Sequence, residues 1–224
     1  MYQNQLDSLF AETFPFWGEL SNMDKETFRR STQHAKFVKG TNIHDGHECT
    51  GVIMIRSGSL RLYLLSDEGK EITLYRLFKG DICVLSASCV LNSITFDVFV
   101  DAEEESDCVV LGGCAFADIC ERYPSAKIFA LETAASRFSD VMWVMQQILF
   151  MSMDKRLAIF LLEETDKNGT DTVTLTHEQI AKYMGSAREV VSRMLKYFTG
   201  EGIVSVSRKG VRILDHKALR GLAL

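Results

Sequence analysis

Residues 175–198 carry two short amphipathic segments joined by a glycine, and this pattern constrains the fold more tightly than any other stretch of the chain. Thr176 is placed to accept from the backbone N–H of Gln179 while the Gln179 side chain reaches back. This reciprocal box ties down two donors that a helix start leaves open, and Leu175 and Ile180 flank it as a hydrophobic staple. Ser186 and Glu189 are expected to repeat the box. Gly185, just past Met184, supplies the left-handed backbone that ends one helix and turns the chain. Two helices joined in this way form a helix-turn-helix.

The second helix divides by face. Val191, Met194, Leu195 and Phe198 fall at the spacing of a buried stripe, whereas Glu189, Ser192, Arg193 and Lys196 take that spacing on another side. A recognition helix enters the major groove with its amino-terminal residues leading, so Arg188, Glu189 and Arg193 are expected at base edges. Arg grips guanine O6 and N7 with two bonds, and Glu accepts from cytosine N4. The alternative is an i,i+4 ion pair of Glu189 and Arg193 on a solvated helix. Thr176, His177 and Lys196 are expected to meet the DNA backbone.

After the helix, residues 199–202 read as a turn, 203–206 as a strand, 208–210 as a basic turn and 211–214 as a returning strand. This is a wing, with Arg208 and Lys209 at its tip suited to phosphates. Charge follows the same division: residues 176–224 hold nine Lys and Arg against four Asp and Glu, whereas residues 1–175 hold 16 against 26. The net charge of −5 thus covers a basic tail on an acidic body, an electrostatic footprint for nucleic acid on one part only.

The body shows short alternating segments, clearest at residues 53–55, 60–65 and 72–77, broken by turn signals at Asp45-Gly46, Ser57-Gly58, Gly69 and Gly80. Such spacing predicts an antiparallel β-roll or jelly roll. A short helix is expected over residues 23–32. The fold class is therefore α+β, divided into a β-roll over 1–123, a long helix and hinge over 124–152, and a winged helix-turn-helix over 153–224.

Taken with the Arg188-Glu189-x-x-Ser192-Arg193 pattern, the runs Ile43-His44-Asp45-Gly46, Arg56-Ser57-Gly58-Ser59-Leu60, Ser66-Asp67-Glu68-Gly69-Lys70-Glu71 and Phe78-Lys79-Gly80-Asp81 resemble the CRP/FNR family of bacterial transcription regulators. The resemblance spans roughly residues 20–220. It implies a homodimer whose cyclic-nucleotide-binding-like β-roll binds an effector and whose winged domains grip an inverted repeat of double-stranded DNA. Residues matching Arg188, Glu189 and Arg193 read TGTGA-like half-sites in that family, and Glu189-x-x-Ser192-Arg193 also fits the TTGAT-like half-site of the FNR branch. Arg188 favours the first and Ser192 the second.

Pro124 is expected to open a helix running to about Phe150. Along it Leu131, Ala135, Phe138, Met142, Met145 and Leu149 recur at alternating intervals of four and three, a heptad seam suited to pairing with a second copy. Packing on the chain's own β-roll is the alternative, although Val141, Val144 and Ile148 give that helix a second apolar flank for the purpose. A two-fold dimer sets two recognition helices roughly 34 Å apart. Residues 151–154 read as the hinge, with Asp154 as N-cap of the helix that follows.

In the cyclic-nucleotide branch of the family an Arg and a Glu after Gly80-Asp81 hold the phosphate and ribose. Residues 80–121 here contain no Lys or Arg, so a phosphate lacks a charge-assisted partner and cyclic AMP is disfavoured. The expected pocket involves Gly80, Asp81, Cys83, Val84, Leu85, Ser86, Cys89, Ile94 and Phe96, a composition suited to a small neutral or apolar effector or a planar haem-like ligand. An iron–sulfur cluster is also disfavoured, because no two cysteines stand at C-x-x-C spacing.

All six cysteines lie in the body and are expected as thiols, mostly as small buried hydrophobes. Redox switching through Cys83 or Cys89 is an alternative control. A rival from another class is a cupin-like metalloenzyme using His44, His47 and Cys49, although metal ligands normally converge from several strands. No catalytic constellation stands out, so a non-enzyme is expected, with no metal. No apolar run reaches the ~18 residues of a membrane span, and residues 1–20 lack Lys and Arg, so a cytoplasmic location is expected. The exposed-looking Lys167-Asn168-Gly169 turn is a candidate contact for RNA polymerase.

Overall fold

The computed structural model describes residues 2–46, 48–87 and 97–224. His47, Cys89, Ile94 and Phe96, which belong to the expected metal and effector sites, lie outside the described residues. The chain divides into two compact units, one of residues 1–65 and 74–141 and one of residues 66–73 and 142–224. The division falls inside the long helix expected over residues 124–150. Residues 66–73, expected in the sensor, group with the second unit.

The first unit is built from two four-stranded antiparallel sheets. One has the order β1 (Thr32–Phe37), β8 (Ser106–Leu111), β3 (Val52–Ser57), β6 (Ile82–Cys83), and the other β2 (Asn42–His44), β7 (Phe99–Ala102), β4 (Ser59–Leu65), β5 (Glu71–Phe78). Successive side chains of a strand point to opposite faces, and both faces of the first sheet are covered. Ile53 and Ile55 face the roll interior with Leu60, Leu62, Leu77, Cys83, Leu85, Val100 and Cys108. Val52, Met54, Val109 and Leu111 point the other way, into a cluster made by helices. Double coverage explains why residues 52–55 read as a continuous apolar run and not an alternating one.

That helical cluster joins α2 (Asn22–Arg30), the helix expected over residues 23–32, to elements not anticipated from the sequence. With helix α1 (Tyr2–Thr13), a 3-10 turn (Pro15–Glu19) and α3 (Gly113–Arg122), it brings Phe10, Phe14, Phe16, Trp17, Phe28 and Phe116 together. Phe10 and Phe14 both meet the Phe28 ring edge-on at 5.5 Å between centroids, the geometry favoured by aromatic quadrupoles. Asp24, only 4% exposed, ties α2 to the end of α3. It accepts from Tyr123 Oη at 2.6 Å and from Ser21 Oγ at 2.7 Å, and it pairs with Arg122.

Helix α4 runs from Pro124 to Phe150, as expected. Proline suits its first position because that residue's N–H would have no helical partner. Helix α5 (Met153–Asn168) follows after Ser152, which takes the N-cap position that the sequence reading gave to Asp154. Asp154 sits instead in the first turn, where the Ser152 side chain holds its carboxyl below the usual carboxylate range.

In the second unit α5, α6 (His177–Tyr183), α7 (Arg188–Gly200) and α8 (His216–Ala223) pack around Leu161, Ile180, Val191, Leu195, Phe198 and Leu219. A three-stranded sheet completes it, with β11 (Gly210–Ile213) between β10 (Val204–Ser207) and β9 (Thr172–Val173). The wing therefore has one strand more than the hairpin expected, and the chain ends in an unexpected helix that Asp215 caps by accepting from Ala218 N at 2.9 Å. Gly210 is required by that third strand. Its φ is +124°, and a Cβ there would lie 2.1 Å from the Val173 carbonyl oxygen.

Candidate nucleic-acid interface

The reading surface is set by the start of α6. Thr176 Oγ1 accepts from Gln179 N at 3.1 Å, and Gln179 Oε1 accepts from Thr176 N at 2.9 Å. The first capping box is thus formed as the residues imply. Gly185 adopts φ +56°, and the chain turns through it. The second box is not formed. Ser186 N donates back to Ala181 O at 2.9 Å, committing that residue to the end of α6, so α7 begins one residue later with Ala187 at its N-cap and no side-chain cap.

Beyond the turn α7 shows the division expected of it. Val191, Leu195 and Phe198 are fully buried, while Arg188, Glu189, Arg193 and Lys196 are exposed. Among the described residues none of these four charged side chains forms an ion pair, so the alternative of a Glu189–Arg193 bridge is not realised. Ser192 is half-buried, and its Oγ lies 2.9 Å from Nδ1 of His177 on α6. Thr176, Arg208 and Lys209 are exposed, the last two at the tip of the β10–β11 wing. Base-facing and phosphate-facing candidates thus come together on one unit.

The backbone behind this surface is braced. Arg156 on α5 donates to the Met184 carbonyl at the end of α6. Thr73 Oγ1 donates to Lys182 O at 3.1 Å, and Lys182 Nζ pairs with Glu71 at 3.1 Å. The link through residues 71–73 was not legible in the sequence, because a Glu-x-Thr in a strand gives no sign of a partner more than a hundred residues away.

Around the expected effector segment the residues separate. Cys83 and Leu85 face the roll interior, whereas Val84 turns into the helical cluster. Ser86 is fully buried, and its hydroxyl donates to Gly51 O at 2.7 Å and so braces the loop there. Gly80 is exposed and Asp81 half-buried. A cation absent from residues 80–121 arrives from α4: Arg137 Nη2 lies 3.3 Å from Asp81 Oδ1 and Nη1 lies 3.2 Å from Asp140 Oδ2, with the guanidinium 5.2 Å from the Tyr75 ring centre. Two carboxylates thus outnumber one guanidinium, and among the described residues no net positive charge is offered to a phosphate here.

The cysteines correct one expectation. Cys49 is in a disulfide, so the six are not all thiols. Cys83, Cys108 and Cys120 are buried free thiols, and burial raises all three, Cys108 to about 12 and Cys120 to about 11. The cupin-like set is not assembled: Cys49 is consumed, and buried His44 bonds through Nδ1 to Thr50 Oγ1 at 2.8 Å. Among the described residues no cluster suited to a metal ion is present.

Comparison with known proteins bears directly on this arrangement. Residues 37–123 match the model of the cyclic nucleotide-binding domain, and residues 155–222 match that of the Crp-like helix-turn-helix domain. A crystal structure from Eubacterium rectale assigned to the CRP/FNR transcriptional regulators is 46% identical, covering 94% of this chain and 98% of its own, with a TM-score of 0.89. The chain belongs to the CRP/FNR family. Two curated CRP/FNR-type relatives are similar at greater distance. The transcriptional regulator Flp of Lacticaseibacillus casei is 24% identical over 93% of this chain and 95% of its own. The transcriptional activator Anr of Pseudomonas aeruginosa is 26% identical over 77% and 72%. As a CRP/FNR regulator the chain carries its DNA-binding helix-turn-helix at α6 and α7, and no helix among the described residues is long and apolar enough to cross a membrane.

Proposed function

We propose that this CRP/FNR regulator acts as a cytoplasmic homodimer that reads an inverted repeat of TGTGA-like or TTGAT-like half-sites under the control of a small effector other than cyclic AMP. The observation that carries the DNA assignment is the row of Arg188, Glu189 and Arg193 on α7, exposed and without an ion pair among the described residues, above a fully buried stripe. Charges left without partners on a solvated helix are ready for phosphate and base edges, because no intramolecular bridge must first be broken. Arg188, Glu189, Ser192 and Arg193 face the bases. Thr176, Lys196, Arg208 and Lys209 meet the backbone, with His177 beside them.

Dimerisation is supported by α4. Phe138 and Leu149 are each 64% exposed and Leu131 52%, with Ala135, Met142 and Met145 exposed along the same stripe, while Val141, Val144 and Ile148 are partly covered. An apolar seam of this length left in water is what a second copy would cover. For the effector, the carboxylates paired with Arg137 and the apolar interior around Cys83 and Leu85 support a neutral or mainly apolar molecule. Contact with RNA polymerase is assigned to the exposed 167–169 turn.

Fluorescence anisotropy with a labelled duplex tests the assignment. Tighter binding to an inverted repeat of either half-site than to its scrambled counterpart, at one fixed salt concentration, is expected; equal affinities overturn it. A second reading, thiol–disulfide control of the same fold, is favoured by the disulfide at Cys49. Reduction should then shift the affinity of the wild-type protein and leave that of Cys49→Ser unchanged.

A further inference from the structure

Among the described residues, Ser192 is the polar side chain on the reading face of α7 that another helix holds, through the 2.9 Å contact of its Oγ with His177 Nδ1. His177 opens α6 directly after the N-cap, where the Thr176–Gln179 box fixes the backbone, so the imidazole is presented to Ser192 from a rigid base. A hydroxyl carries one proton and two lone pairs, and an imidazole nitrogen either donates or accepts. When Nδ1 bears a proton it donates to Oγ, and the serine proton is left to point outward at an acceptor such as thymine O4 or guanine O6. When Nδ1 is bare the serine proton is drawn into the shared bond. Only lone pairs then face outward, and these suit the amino donors of adenine and cytosine.

We propose that His177 is a positioning residue for sequence readout, setting whether Ser192 offers the DNA a donor or only an acceptor and so selecting the base at one half-site position. The inference rests on the DNA-reading assignment above and extends it to a residue otherwise placed at the backbone. Helix α7 packs against α6, α5 reaches the end of α6 through Arg156 and Phe160, and residues 71–73 meet it at Lys182. The charged groups these present include Glu178 and Lys182 on α6, Arg188, Glu189, Arg193 and Lys196 on α7, Arg156 on α5, and Glu71. Among the described residues none makes an ion pair with His177, so truncating it removes this hydrogen bond and breaks no salt bridge. A side chain placed at the DNA backbone also alters the affinity for any sequence. The quantity to read is therefore a ratio between bases and not an affinity.

Competition anisotropy with the full-length protein, on duplexes differing by one base pair in the half-site, tests the proposal. Ser192→Ala should flatten the preference at one position by about fivefold, the worth of a single neutral hydrogen bond. His177→Ala should flatten the same position to the same degree, and the double variant should lose no more. His177→Asn, whose amide both donates and accepts, should keep a preference at that position that His177→Ala loses. An intact ratio in His177→Ala, or losses that multiply in the double variant, each overturns the inference. A wild-type protein with no preference at any position instead sinks the DNA-reading assignment itself.

Discussion

At the scale of single residues, groups proposed to discriminate between bases differ in placement from groups proposed to hold the duplex. Arg193 and Lys209 are both exposed cations of the same unit, yet one lies on the reading helix and the other at the wing tip. Arg193→Ala should cost ~1–3 kcal/mol on the specific site and relax base preference at its position. Lys209→Ala should weaken all sequences alike and shallow the salt dependence by about one phosphate's share. Titrations at several salt concentrations separate the two, and parallel losses on random DNA would remove the distinction. Residue identity also marks how far sequence reasoning reaches. The charge and spacing of Arg188, Glu189 and Arg193 were enough to place them on the exposed face of α7. The bond between His177 and Ser192 joins residues fifteen apart on two helices and has no sequence signature. Ser186 carried the right residue type for a cap, but its backbone N–H was already committed to Ala181.

At the scale of elements, legibility follows how local the determining signal is. Helix α6, the Gly185 turn and α4 are specified by neighbours within a few positions, and they were found. The strand β9 is two residues long and exists because β11 pairs with it, so nothing inside Thr172-Val173 announces it. The aromatic packing of α1 was available in principle from Leu6, Phe10 and Phe14 at intervals of four, the spacing of one helix face. The residues of the effector segment were read as one lining, whereas strand alternation sends Cys83 and Val84 to opposite faces. For α4 the consequence is testable. Phe138→Glu places a charge in the middle of the exposed seam and should convert dimers to monomers in sedimentation, with little effect on the thermal transition of the isolated fold. Dimers that persist would place the interface elsewhere.

At the scale of the whole molecule, an acidic sensor and a basic reader respond differently to solution conditions. Asp24 lies in the sensor, and its carboxyl is held below the ordinary value of 3.8, first by the Tyr123 hydroxyl, then by Ser21 and Arg122. A depressed carboxylate contributes stability that is fully present above the ordinary value and is lost as the pH falls through the lower, folded one. Acid unfolding followed by the fluorescence of Trp17, buried in the adjoining aromatic cluster, should therefore show an acid limb that Asp24→Asn flattens while lowering stability at neutral pH. Superimposable acid limbs would contradict the role given to Asp24. The central claim concerns two copies acting together: mirrored α7 helices, brought together by α4, grip one duplex through Arg188, Glu189 and Arg193. Selection of the full-length protein on a pool of random duplexes tests it most directly. The account predicts a two-fold symmetric consensus with half-site centres about 10 base pairs apart; a pool left unenriched, or enriched for one unrepeated and asymmetric motif, would contradict it.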